Sequence, residues 1–283
     1  MNYSFLSKSI LVKWLSNLFS NNRGKSNFRK SSLKYSLTIL LTFLAVISIT
    51  TISISPALTQ DRDYLWRKVQ ECTINQKQKK DPSPCQYVDL KNNYAIVYDH
   101  ASEYLLIPTV KITGIEDPKI WDSKNNPYYP SFWYFAWNET LKYVPNKTPK
   151  QLGLAVNSKY SRGQDQLHIH MSCINKKVSD QLEKLAKAQK ITTKWPDINT
   201  PNFENPNNTN DKYRVKILSN FGSQVNPFAL VKDYIGSKYS IDEQSIALVR
   251  RNQKEFYILN SDSRTSNNKG HAEYLLDENC STQ

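Results

Sequence analysis

The chain has 283 residues and carries 38 Lys and Arg against 25 Asp and Glu, a formal net charge of +13 that calls for an anionic partner: nucleic acid, a membrane surface or a phosphorylated substrate. Seven of the excess charges (Lys8, Lys13, Arg23, Lys25, Arg29, Lys30, Lys34) fall within residues 1–35, which contain no acid. The about six left on the remainder are few for a groove that must neutralise many phosphates, and a nucleic-acid partner is set aside.

In chain order, the basic segment 1–35 comes first, with Leu11, Trp14, Leu15 and Leu18 recurring at helical spacing, as in a short amphipathic helix lying on a membrane surface. An uncharged run follows over 36–58, rich in Leu, Ile, Val and Thr. It is long enough to cross a hydrocarbon core of about 30 Å, and the cations before it favour a cytoplasmic amino terminus. A retained signal anchor is therefore predicted, with the rest of the chain outside the cytoplasm. A cleaved signal peptide is the competing reading, since Ser55-Pro56-Ala57 has small residues at suitable spacing, but the apolar run is long for one. Cysteine usage fits an oxidising compartment: Cys72, Cys85, Cys173 and Cys280 allow three connectivities.

Residues 59–283 are enough for one domain. The pattern predicts a helix over Asp61–Cys72, strands at Tyr94–Tyr98 and Tyr104–Ile107, and a helix over Phe132–Tyr143 with mostly helical spacing of Trp133, Phe135, Ala136, Trp137 and Leu141. Strands Leu152–Val156 and Leu167–Ile174 follow, joined by the polar loop Asn157–Asp165. A helix over Val178–Gln189 comes next, with Ser179 an alternative cap. The Asn- and Pro-dense stretch Thr192–Asp211 reads as a loop or insertion with little capacity for a core, and its Asn207-Asn208-Thr209 matches a glycosylation sequon that means something only in a eukaryotic secretory protein. A helix near Val225–Ile235 and a hairpin of Ile246–Arg250 with Phe256–Leu259 close the chain. There is no internal repeat, Gly-rich phosphate loop or second domain. Short strands with helices set apart argue for an α+β fold with a mostly antiparallel sheet.

The most informative stretch is Gln164-Asp165-Gln166-Leu167-His168-Ile169-His170-Met171-Ser172-Cys173. Apolar Leu167, Ile169 and Met171 alternate with Gln166, His168, His170 and Ser172, so both imidazoles lie on one strand face, about 7 Å apart at the backbone. Three readings follow. The pair is a hydrogen-bonded polar stripe; or it is part of a zinc site, although Cys173 lies at an odd offset and His100, His271 or a carboxylate would have to complete it; or a neutral imidazole is a nucleophile toward phosphorus, its tautomer held by a second group.

The run from Asn157-Ser158 through Arg162-Gly163-Gln164 to Cys173 resembles the signature of the CDP-diacylglycerol pyrophosphatases, membrane-bound members of the histidine-triad superfamily. Other blocks resemble the same family in the same order: Glu71-Cys72 with Pro82-Ser83-Pro84-Cys85, Tyr104 to Thr109 with Gly114, the aromatic run Phe132 to Trp137, Pro227-Phe228, and Asp277 with Cys280. In one respect the chain departs from the triad. Gln166 stands where the family has its first histidine, leaving His168 at the nucleophile position and His170 at the third.

The resemblance implies a histidine-triad-like α+β domain that hydrolyses CDP-diacylglycerol to CMP and phosphatidate through a cytidylyl-histidine, at the bacterial inner membrane on its extracytoplasmic side. His168 is then the nucleophile, with His170 in support. Gln166, Asn157, Ser158 and Gln164 hold phosphate oxygens or the imidazole, and Arg162 neutralises the diphosphate. No metal or other cofactor is required, and the partners are CDP-diacylglycerol and membrane lipid. The resemblance, together with proximity, also favours the disulfides Cys72–Cys85 and Cys173–Cys280. The competing expectations are a non-catalytic nucleotide- or lipid-binding protein, in which Gln166 records lost activity, and a zinc-dependent hydrolase.

Overall fold

Ten short segments rich in Val, Ile, Leu and Tyr pair into one sheet, and every pairing is antiparallel. The strands are β1 (Tyr87–Asp89), β2 (Tyr94–Tyr98), β3 (Tyr104–Pro108), β4 (Leu152–Val156), β5 (Ile169–Ile174), β6 (Phe203–Asn205), β7 (Asn208–Ser219), β8 (Gln244–Arg250), β9 (Glu255–Asp262) and β10 (Leu276–Asp277). Their order is β1-β2-β3-β5-β4-β8-β9-β7-β6, with β10 paired to the end of β5. Among the described residues, four α-helices flank the sheet: α1 (Tyr64–Lys79), α2 (Ser131–Tyr143), α3 (Lys176–Lys187) and α4 (Pro227–Ile235). The architecture is mixed α+β with an antiparallel sheet, as the sequence pattern predicts. The computed structural model describes residues 61–99, 103–122, 131–144, 147–264, 269–277 and 280. The basic segment and the apolar run expected to form a membrane anchor lie outside them, and so does His100. Among the described residues no helix is long and apolar enough to cross a membrane.

The two faces of the sheet are covered differently. On one, Ile96, Leu106, Leu154, Ile169, Met171, Leu248 and Ile258 form a continuous core under Trp133, Ala136 and Trp137 of α2 and Phe228 and Val231 of α4. On the other, the apolar cover is in two pieces. Val69 and Cys72 of α1 pack on Ala95, Val97, Leu105 and Ile107. Val178 and Leu182 of α3 pack on Ala155, Ala247, Val249 and Leu259. His170 sits between them, since its register partners Leu105 on β3 and Ala155 on β4 belong to one cluster each. The histidine seam is thus a polar gap between two helix-covered patches of one sheet face.

Several boundaries differ from expectation for local reasons. Helix α1 continues to Lys79, where Lys80 ends it in the left-handed region at φ 59°. Helix α3 begins earlier, at Lys176, because the side chain of Asn175 accepts a hydrogen bond from the Lys177 amide and caps it. The largest difference is at 192–211, which contains β6 and the start of β7. Phe203 and Tyr213 bury their rings edge to face, 6.1 Å apart. Asn202 both donates to the Val215 carbonyl (2.9 Å) and accepts from its amide (2.7 Å), so an asparagine side chain does the work of a strand neighbour. Polar letters that read as loop are spent on backbone pairing.

Cys72 is bonded to Cys85 and Cys173 to Cys280, with Cα separations of 5.7 and 5.3 Å. The second bond ties the chain end to the face of β5 opposite the histidines, and Cys173 is consumed by it rather than offered to a metal.

Candidate active site

Alternation along β5 buries Ile169, Met171 and Cys173 in the core and turns His170 to the other face, with His168 immediately before the strand at the same parity. The two rings lie 5.0 Å apart at 66°, and both side chains are largely buried. What surrounds each ring gives it a different protonation state.

His168 Nδ1 lies 2.7 Å from the main-chain carbonyl of Gln166. A carbonyl only accepts, so Nδ1 carries the proton and Nε2 keeps its lone pair. Burial, with the neighbouring His170 charge, pushes this imidazole down to about 4, so it is neutral at physiological pH. His170 is held at both nitrogens: Nδ1 is 2.6 Å from Glu103 Oε1 and Nε2 is 3.0 Å from Glu273 Oε2. Burial opposes its charge, but the carboxylates of Glu103 and Glu273 outweigh burial and raise it to about 9. Burial likewise works against the Glu273 carboxylate, which His170, His271 and Asn157 nevertheless hold down at about 2. A neutral imidazole with a free lone pair thus stands beside a fixed imidazolium.

Neither glutamate was read from the sequence. Glu103 precedes β3 and shares the face of Leu105, the register partner of His170, so it reaches the ring from the diagonal position. Its other oxygen, Oε2, is buried without a hydrogen-bond partner among the described residues. Glu273 arrives from the segment between Gly270 and β10, where its amide donates to Asn157 Oδ1 (3.3 Å) and its carboxylate also meets His271 Nδ1 (3.0 Å).

The expected substrate-binding residues separate into two groups. Asn157 joins the histidines, with its Nδ2 3.5 Å from His170 Nε2. Arg162 lines a small cavity of about 10 Å³ with His168, Asn157 and Gly114, room for about one water. Its guanidinium is already engaged, bidentate to Glu116 (2.7 and 2.6 Å) and to Asp165 (3.0 Å), so the charge expected for a diphosphate is neutralised within the protein. A Cβ at Gly114 would overlap that guanidinium, which explains a glycine here. The other three hold the frame. Gln166 spends its amide on the 108–112 loop, donating to the carbonyls of Pro108 (2.9 Å) and Val110 (2.8 Å) and accepting from the Ile112 amide (3.3 Å). The imidazole of His168 is therefore braced by the backbone of Gln166, not by its side chain. Gln164 accepts from the Leu65 amide (3.0 Å) and donates to the Asp61 carbonyl (2.9 Å), clasping the start of α1. Ser158 Oγ donates to the Lys269 carbonyl (2.5 Å) and fixes the segment that carries Glu273.

One donor set has metal-binding dimensions: ligand atoms of Glu103, His170 and Glu273 all lie within 4.8 Å of one another. The carboxylates grip opposite nitrogens of one ring, however, so an ion could share only one nitrogen and one of the carboxylates. That is two protein ligands short of a closed tetrahedral zinc site.

Comparison with known proteins identifies the family. Residues 60–283 match the family model for CDP-diacylglycerol pyrophosphatase. A relative from Yersinia pestis named CDP-diacylglycerol pyrophosphatase is 29% identical over 248 residues, covering 85% of this chain and 93% of the relative. With the family match spanning the histidine strand and its whole scaffold, the chain belongs to the CDP-diacylglycerol pyrophosphatase family.

Proposed function

We propose that the chain hydrolyses CDP-diacylglycerol by covalent catalysis at His168, on a histidine-triad-like scaffold whose first histidine is replaced by Gln166. Nε2 of His168 attacks the cytidine-linked phosphorus, the bond from that phosphorus to the bridging oxygen breaks, and phosphatidate leaves with the electron pair. Water then attacks the cytidylyl-histidine, loses a proton, and releases CMP with His168 neutral again. Dividing the displacement into two steps replaces one difficult transfer by two easier ones. The observation that carries this reading is the Nδ1 contact to the Gln166 carbonyl, which leaves the Nε2 lone pair available, next to an imidazolium fixed by Glu103 and Glu273. His170, held at both nitrogens by Glu103 and Glu273, fixes the wall of the seam against which the reacting imidazole is placed.

The same reading places the enzyme on a retained single-pass anchor at 36–58, with its domain on the extracytoplasmic side of a bacterial inner membrane. The two disulfides and the basic residues before the apolar run support that placement. A diacylglycerol tail stays in the bilayer, so tethering confines enzyme and substrate to one interface.

The test is trapping. Rapid quenching at neutral pH or above with cytidine-labelled substrate should leave label on the peptide bearing His168, as a phosphoramidate stable to base and labile to acid. A second reading, metal-assisted hydrolysis, is favoured only by the Glu103, His170 and Glu273 donor set. Chelator-sensitive turnover with no retained label would establish it and refute the histidine nucleophile.

A further inference from the structure

A cavity of about 310 Å³ lies beside the β8–β9 turn, lined by Tyr134 and Trp137 of α2 together with Phe221, Phe256, Arg250 and Lys254. The volume is within the ~300–1,000 Å³ range of small-molecule sites. Arg250 and Phe256 are register partners and alternate onto the same sheet face as Leu248 and Ile258, the face opposite His170. No Asp or Glu is among the described residues that line the cavity. Arg250 donates from Nε to the Asn252 carbonyl and from Nη2 to the Gln253 carbonyl, both at 2.8 Å. Among the described residues its Nη1 has no hydrogen-bond partner, and neither Arg250 nor Lys254 has a carboxylate partner. The acid next in sequence, Glu255, is taken by Arg251 Nη1 and Asn252 Nδ2, both at 2.6 Å. The turn is also held in place. Asn252 Oδ1 accepts from the amides of Lys254 (2.9 Å) and Glu255 (3.0 Å), and the Lys254 carbonyl accepts from the Asn220 amide (2.9 Å).

We propose that this cavity binds the phosphate headgroup of an anionic phospholipid, at a site separate from the histidine seam. Charge is the first reason. Other arginines of the domain are matched by acids, Arg162 by Glu116 and Asp165 and Arg251 by Glu255, whereas the two cations here face a cavity without one. A phosphate supplies what is missing, with oxygens for Arg250 Nη1 and for the Lys254 ammonium. Because two carbonyls already fix the guanidinium, little ordering is left for the ligand to impose. The floor is the second reason. Trp137 and Phe256 meet edge to face at 4.9 Å, and Phe221 lies 4.9 Å from Phe256, an apolar surface for the glycerol and first methylenes of a lipid. Inorganic phosphate gains nothing from such a floor. A nucleotide fits it poorly, since the Arg250 guanidinium already covers the rings of Trp137 (5.6 Å) and Phe256 (5.4 Å) where a base would stack. Cations whose stems lie along aromatic rings are the composition of a surface at headgroup level. The sheet separates this cavity from His168 and His170, so a headgroup held here is not the one presented to the histidines.

The experiment titrates the full chain, in non-ionic detergent, with dioctanoyl phosphatidylglycerol and counts bound lipid by native mass spectrometry. Dioctanoyl phosphatidylcholine, inorganic phosphate and AMP are the comparison probes. Phosphatidylglycerol should bind at least about tenfold more tightly than each of them, a difference that one charge-assisted bond can supply. Arg250→Gln and Lys254→Gln should each weaken it by about the same factor, with turnover of CDP-diacylglycerol in detergent unchanged. Melting temperature checks folding, and Lys254→Gln, on an exposed turn, decides alone if Arg250→Gln misfolds. Phosphatidylglycerol affinity equal to wild type in the folded variants would overturn the site, as would phosphatidylcholine binding equally well. Inorganic phosphate or AMP bound as tightly as the lipid, and lost in the same variants, would make this a site for a soluble anion and overturn the lipid assignment. Turnover that falls in step with lipid binding would overturn its separation from the seam.

Discussion

The two faces of β5 are equally buried and chemically opposite. Ile169, Met171 and Cys173 enter a continuous apolar core, whereas His168 and His170 fill a seam between two helix-covered patches. On the core face, stability comes from area removed from water and from close packing, and no partner needs to be specific. On the seam face, burial disfavours charge, and His170 bears one only because two carboxylates meet it. His168, buried and with no carboxylate bonded to it among the described residues, remains neutral. Adjacent histidines on one strand are thus driven to opposite protonation states by their partners alone.

Substitutions on the two faces should separate chemistry from stability. The largest effect is expected from His168→Ala, which should lower turnover on the order of 10⁴-fold or more by removing the nucleophile, with the melting temperature nearly unchanged. A large fall in stability alongside would mean that the seam packs like the core and the contrast is wrong. Met171→Ala, one residue beyond the site and pointing the other way, should do the reverse: a loss of about 2–5 kcal/mol in denaturant unfolding, with kcat retained by the folded fraction.

A pH profile sharpens the contrast within the seam. Activity needs His168 neutral and His170 protonated, so kcat/KM should be flat between limbs near 4 and near 9. For stability the sign is as follows: the folded value of His170 is raised from 6.5 to about 9, so its contribution is fully present below 6.5 and is lost as pH rises through about 9. Glu103→Gln removes one of the two carboxylates, and the alkaline limb should move down from about 9 toward 6.5. An unmoved limb would show that Glu103 does not hold the His170 charge. The smallest effect concerns Gln166. Alanine there strips three backbone partners from the 108–112 loop and should cost about 1–3 kcal/mol. Histidine, with one donor and one acceptor when neutral, replaces only part of that bracing and should fall between alanine and wild type in thermal melts.

Much of the site's axis was legible. The period-two pattern at 166–171 placed both imidazoles on one face, and the odd offset of Cys173 placed its thiol on the other, because a strand alternates whatever it pairs with. The partners were not legible. Glu103 lies 67 residues from His170 and meets it only through the register of β3 on β5. Glu273 depends on where the chain end crosses the seam, with the Gly270 carbonyl bonded to the amide of Ser158. Gln164, Ser158 and Gln166 carry amides and a hydroxyl that suit phosphates, yet the same groups suit orphan backbone atoms, and in the fold they bond to backbone.

Sequence alone therefore determined what depends on local periodicity and composition: the α+β class, the strand bearing the histidines, and the face each side chain takes. Tertiary structure decided what depends on contacts between distant segments: the β6–β7 hairpin, where Asn202 satisfies the Val215 backbone, and above all the charge on each histidine. The physical reason is that a ring's protonation is settled by the few groups within about 4–6 Å of it, and the sequence separation of those groups bears no relation to that distance.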